Sequence, residues 1–287
     1  MAQAEHFLTA GNKLGEGPVW HPDQETLFWV DIEGEKFHCI SPESGEPQSF
    51  SVGQEVGCLA LRHAGGLALG LGDGLGLWDF DTSTVEIVHN PEPDRIQARF
   101  NDGKVDRKGR FWAGTLGEDD RSKLYRWDPD GSIHVIETGV RISNGIGWSP
   151  DDALMYYTDS PLGVIYVYDF DLENGSIENR REFTTVPPEH GVPDGLTVDS
   201  EGFVWSAHWD GWRISRYDPQ GKIERVIYLP VQRPTSCTFG GVGLDKLFIT
   251  SAWTGLSESE RREQPLAGDL FILPTDLMGQ KENFFQG

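Results

Sequence analysis

The stretch Asn101-Asp-Gly-Lys-Val105-Asp-Arg-Lys-Gly109-Arg-Phe-Trp112-Ala-Gly, continued by Leu124-Tyr-Arg-Trp127-Asp-Pro-Asp-Gly131, decides the fold. It recurs as Asp194-Gly-Leu-Thr-Val198-Asp-Ser-Glu-Gly202-Phe-Val-Trp205-Ser-Ala, continued by Ile214-Ser-Arg-Tyr217-Asp-Pro-Gln-Gly221. Each copy reads as an apolar strand, a polar turn with glycine, an aromatic strand, and a third strand stopped by Asp-Pro. Further copies open at Glu16-Gly-Pro-Val-Trp20 and Asn144-Gly-Ile-Gly-Trp148, with weaker ones near Gly57-Cys-Leu-Ala-Leu61 and Thr235-Ser-Cys-Thr-Phe239. The units begin near residues 15, 57, 99, 143, 193 and 234, at spacings of 42, 42, 44, 50 and 41. No long segment carries a period of about 3.6 residues. Units of about four strands in about 40–50 residues are propeller blades, which cannot bury their faces alone. The sequence therefore predicts an all-β, six-bladed β-propeller, one domain over residues 1–280. A β-sandwich with a second domain is the alternative. Ring closure is assigned to Glu5-His-Phe-Leu-Thr9, as a strand beside Asp269-Leu-Phe-Ile-Leu273. Residues 281–287 partly match a protease-site remnant and are set apart as a tail.

Composition narrows the function. Twenty-four Lys plus Arg against 46 Asp plus Glu give a net charge of −22. Nucleic acid and anionic membranes select basic surfaces, so neither is expected as a partner. Hydrophobic residues at 37%, with 10 Trp and 15 Phe, suffice for a core and exclude an acidic disordered chain. Cys39, Cys58 and Cys237 are widely spaced and form no CxxC pair. Neither a disulfide framework nor a zinc ribbon is expected, and a cytoplasmic location follows. The N-terminus lacks the basic and apolar regions of a secretory signal. No apolar run approaches the ~18 residues of a membrane helix.

The repeat also places chemistry. Aligned on Trp20, Leu61, Val105, Trp148, Val198 and Phe239, the units carry Glu16, Gly57, Asn101, Asn144, Asp194 and Thr235 four residues upstream. First strands line a propeller's central channel, so Glu16, Asn101, Asn144 and Asp194 converge at one end of it. Two carboxylates and two amide oxygens are hard donors, suited to a divalent ion with water filling its other sites. With no His or Cys in this register, a structural zinc site of Cys/His type is not expected. Without a cation, two carboxylates in a desolvated mouth repel and one pKa rises. The competing view is that Asn-Gly and Asp-Gly are ordinary turn dipeptides. Four instances in one repeat register favour a site.

These motifs, together with Arg99-Phe-Asn101-Asp-Gly-Lys-Val-Asp106, Gly109-Arg-Phe-Trp-Ala-Gly-Thr115 and Thr235-Ser-Cys-Thr-Phe-Gly-Gly241, resemble the gluconolactonase, regucalcin (senescence marker protein) and luciferin-regenerating enzyme family from about residue 11 to 275. The resemblance implies a propeller that hydrolyses sugar lactones with one divalent ion, for which Ca²⁺, Zn²⁺, Mn²⁺, Mg²⁺ and Fe²⁺ are all admissible. It implies Glu16, Asn144 and Asp194 as metal ligands; the residues themselves make Asp194 the candidate catalytic group, able to serve as general base for a bound water as well as ligand. Arg99, Asn101 and either Glu118 or Asp119 are implied as substrate contacts. The substrate would be a small sugar lactone, and the protein a monomer or small homo-oligomer. A calcium- or sugar-binding propeller with little turnover is the alternative. Ser143 sits in no GxSxG elbow. His208 is a possible loop contributor, and Trp209, Trp212 and Trp253 are candidates to wall the pocket. The run Gly70-Leu-Gly-Asp-Gly-Leu-Gly76 precedes no helix and carries no nucleotide signal.

Overall fold

The computed structural model describes residues 3–95, 98–117 and 121–287. Six antiparallel four-stranded sheets form a ring, a six-bladed β-propeller. The inner strands are Gly15–His21, Val56–Leu61, Arg99–Val105, Ser143–Trp148, Val192–Val198 and Pro234–Gly240, one for each of blades one to six. They are mostly buried, Arg99–Val105 least so, whereas outer strands such as Thr84–His89 and Ser176–Thr185 are largely exposed. This burial gradient explains the sequence pattern. Inner strands mix apolar residues with Gly, Ser and Thr because neighbouring backbones crowd the axis, while outer strands carry the charge.

Blade six is completed from the other end of the chain. Glu5–Leu8 pairs antiparallel with Leu270–Pro274, as His6 opposite Phe271 shows. The outermost strand of the last blade thus comes from the N-terminus, which fastens the ring.

Two recurring residues of the repeat are structural. Asp106 accepts from Trp112 Nε1 at 2.8 Å and from Arg110 Nε at 2.6 Å. Asp199 accepts from Trp205 Nε1 and Arg216 Nε, both at 2.9 Å. Both carboxylates are buried with their charge paired, so the Val-Asp and Trp signature is a packing node away from the channel mouth.

Residues 281–287, set apart on sequence, lie against the ring. Phe285 is fully buried among residues of blades two and three, its ring 4.6 Å from that of Trp127. Its N–H donates to Leu61 O, and its carbonyl accepts from His63 N. The three cysteines are unpaired. Among the described residues no helix is long and apolar enough to cross a membrane.

Candidate metal and substrate site

Every inner strand breaks its pairing with its neighbour at the same height. The irregularities fall between Glu16 and Val19, Val56 and Cys58, Phe100 and Gly103, Ser143 and Ile146, Pro193 and Leu196, and Pro234 and Cys237. Such bulges re-aim side chains, and here they turn the ring residues toward the axis. The Asn-Gly and Asp-Gly pairs are therefore bulges rather than tight turns. Glycine follows because strands touch there: a Cβ on Gly145 would lie 2.6 Å from Leu196 N and 2.7 Å from Asp194 O.

At one end of the channel Glu16, Asn101, Asn144 and Asp194 line one cavity of about 430 Å³ together with Arg99. The ring positions of the two remaining blades give nothing to it, though Thr254 of blade six lines its rim. A Cβ on Gly57 would strike Phe100 O at 2.0 Å, so blade two has no room for a side chain. Thr235 turns to its neighbour and donates to Gly15 O at 2.6 Å.

The two amides have different partners. Asn101 Oδ1 accepts from Arg99 Nη1 at 2.6 Å, and its Nδ2 donates to Ser143 O at 2.8 Å. Its oxygen is engaged. Asn144 Nδ2 donates to Ser160 Oγ at 2.9 Å, while its Oδ1 is buried with no partner. A buried acceptor without a donor costs about 1–3 kcal/mol, and such groups call for a missing partner.

The carboxylates are under-compensated in the same way, with only Arg99 as a nearby positive charge. Glu16 is 7% exposed and Asp194 5%. Burial, then the charges of Asp194 and Asp102, hold the Glu16 carboxyl well above its usual range. Burial, then Asp102, does the same to Asp194, with Asn144 and the Gly195 N–H opposing. Asp102 itself is pushed up to about 6 by burial, against the Gly103 N–H that donates to its Oδ1 at 2.7 Å. An orphan amide oxygen beside two desolvated carboxylates fits a hard divalent cation. Among the described residues no three His, Cys, Asp and Glu side chains gather to hold a metal, so a cation donor set here has to include the amide.

Sequence reasoning missed Asp102 and Ser160. Asp102 is readable only once the bulge lets consecutive residues 101 and 102 both approach the channel. Ser160 opens the 3-10 turn Ser160–Leu162 that follows the second strand of blade four, and no repeat signal marks it. His208 is not in the cavity. It is fully buried, with Nδ1 2.9 Å from His190 O and Nε2 3.2 Å from Tyr217 Oη, because it faces the blade's own packing layer. Of the three candidate tryptophans only Trp209 lines the cavity. Arg261 covers Trp253 at 3.8 Å, and Trp212 stands 39% exposed. Glu118 and Asp119 lie outside the described residues.

A ring of β-blades with hard oxygen donors at one mouth of its channel defines the class: a six-bladed propeller with an axial polar site. Residues 14–253 match the model of the SMP-30/Gluconolactonase/LRE-like region, and the chain belongs to that family. It is 38% identical over 279 residues to a 6-deoxy-6-sulfogluconolactonase of Pseudomonas putida, covering 96% of this chain and 95% of that one. It is 36% identical over 268 residues to regucalcin of Xenopus laevis, covering 90% of each. The solved structure of a calcium-binding protein, regucalcin, from Agrobacterium tumefaciens superimposes with a TM-score of 0.94 at 25% identity, covering 99% of this chain and 97% of that one.

Proposed function

We propose that this chain is a metal-dependent hydrolase that opens sugar lactones to aldonic acids, with Glu16, Asn144 and Asp194 holding one divalent ion. The observation that carries the reading is the partnerless, buried Asn144 Oδ1 in a cavity shared with two desolvated carboxylates. Relatives named as lactonases support the reaction class. When bound, the ion would supply Lewis-acid polarisation of the ester carbonyl. Asp194 accepts the proton of the attacking water. The water oxygen bonds to the acyl carbon, the acyl C–O bond of the ring breaks, and the proton passes to the departing ring oxygen. Arg99 fixes the Asn101 amide through Oδ1, and Ser143 O takes one Nδ2 hydrogen. The second Nδ2 hydrogen serves a substrate oxygen. The Arg99 guanidinium faces the product carboxylate. Glu118 or Asp119 adds a contact to the sugar. Three unpaired cysteines fit a reducing, cytoplasmic setting.

The test strips the protein with chelator and restores Ca²⁺, Mg²⁺, Mn²⁺, Zn²⁺ or Fe²⁺ singly. Acid release from gluconolactone and a pentonolactone is followed against the spontaneous blank. Turnover that returns with metal and is absent in Asp194→Ala supports the hydrolase. Metal binding without turnover above the blank selects the calcium- or sugar-binding alternative.

A further inference from the structure

The propeller repeat carries a second tier above the ring. Two residues before the ring position stand Leu14, Glu55, Arg99, Ile142, Val192 and Arg233, one per blade. They divide into two arcs. On blades two and three, Arg99 Nε lies 3.8 Å from Glu55 Oε2, so this side is charged. On blades four, five and one, the tier is Ile142, Val192 and Leu14, all half-buried and all lining the cavity.

Arg233, on blade six, would interrupt the apolar arc. Its charge is engaged at the rim instead. Its Nε lies 2.7 Å from Asp210 Oδ1, its Nη1 donates to Thr254 O, and its guanidinium stacks 4.6 Å from the Trp209 ring. Trp209, paired across the strands with Val192, lines the cavity. Ile32, whose N–H donates to Leu14 O, extends the same wall on blade one. The mouth is thus amphipathic: polar at the floor and around Arg99, with Leu116 beside it, and hydrocarbon along the arc from Ile142 to Leu14 apart from Thr254 and Glu33, which pair with each other as Thr254 Oγ1 donates to Glu33 Oε1 at 2.7 Å. A substrate with hydroxyls on every carbon would leave some of them against that arc without a partner, at a cost.

Resting on the lactonase reading but narrowing its substrate class away from fully hydroxylated sugar lactones, we propose that the pocket is selective for lactones bearing a hydrocarbon substituent, seated against Ile142, Val192, Trp209 and Leu14 while the ester group faces Arg99 and Asn101. Arg233 acts as a positioning residue that holds Trp209 in the wall. The selectivity is read from a homologous series, γ-butyrolactone to γ-octalactone, with gluconolactone in parallel on the metal-loaded protein. The expected result is a rise in kcat/KM of roughly fourfold per added methylene until the arc is filled. In Ile142→Thr/Val192→Thr, the ratio of kcat/KM for octalactone over butyrolactone falls at least tenfold. Both rates come from one preparation, so a poorly folded fraction cancels. Arg233→Met lowers that ratio through KM rather than kcat, and Arg233→Lys restores part of it. A flat series, or an unchanged ratio in the double variant, overturns the proposal; gluconolactone turnover in the same assay then leaves the lactonase reading standing. No turnover of any lactone with any metal overturns both.

Discussion

At the scale of single residues, the site turns on which amide oxygen is spoken for. Asn101 and Asn144 hold equivalent places in the repeat, yet Arg99 engages the first and nothing engages the second. Asn144→Ala therefore has opposite consequences with and without metal. In the metal-free protein it deletes an unsatisfied acceptor along with one bond to Ser160, and these terms of about 1 kcal/mol each nearly cancel. The melting temperature of the chelated variant should stay within a few degrees of wild type. Adding a divalent ion raises the wild-type melting temperature by mass action, and the variant should lose most of that rise. Thermal melts with and without Ca²⁺ or Mn²⁺ check both halves. A large loss in the chelated state alone would make Asn144 a structural residue.

At the scale of the element, the inner strand's bulge is the device that makes a site from a repeat. Gly145 is required by space, since a Cβ would meet Leu196 N and Asp194 O of the adjacent inner strand, backbone atoms that cannot swing away. Gly145→Ala should push blades four and five apart, costing about 2–3 kcal/mol in urea unfolding, and should weaken metal binding because Asn144 and Asp194 flank the contact. Gly131→Ala, at a turn with nothing within 4 Å but a φ of 87°, is a control whose cost is backbone strain and whose metal affinity stays at wild type. The bulge also explains how much of the site could be read from sequence. The ring set Glu16, Asn101, Asn144 and Asp194 was legible because one bulge per blade keeps one register. The difference between the two asparagines was not, because Arg99 and Ser160 lie outside that register. His208 misled for a related reason: one residue from the strand end at Trp209, only its alternation decides between channel mouth and packing layer. The fold was legible throughout, since alternating apolar strands and glycine turns recur six times. The seating of Phe285 depends on a contact far along the chain that no local pattern announces.

At the scale of the whole molecule, packed blades leave little room for unpaired charge away from the mouth, and this sets the response to acid. Burial, opposed in part by the His190 carbonyl, lowers His208 to about 4; burial, then Lys36, lowers His38 to about 4. Both are neutral in the native ring and protonate near pH 6.5 once unfolded. Between about pH 6.5 and pH 4 the unfolded chain binds protons that the native chain refuses, so stability falls with pH across that window and is level above it. A single such histidine removes about 2 kcal/mol by pH 5. The buried carboxylates at the mouth act in the opposite sense, which is why a variant must separate the two. His208→Gln keeps polar contacts to His190 and Tyr217 available but cannot take the proton. Its urea stability is expected to be lower than wild type at pH 8, and the loss between pH 7 and pH 5 should be smaller than wild type by about 2 kcal/mol. Parallel acid limbs in the two proteins would mean that His208 stays accessible to protons in the native ring, and that blade five is looser than its packing implies.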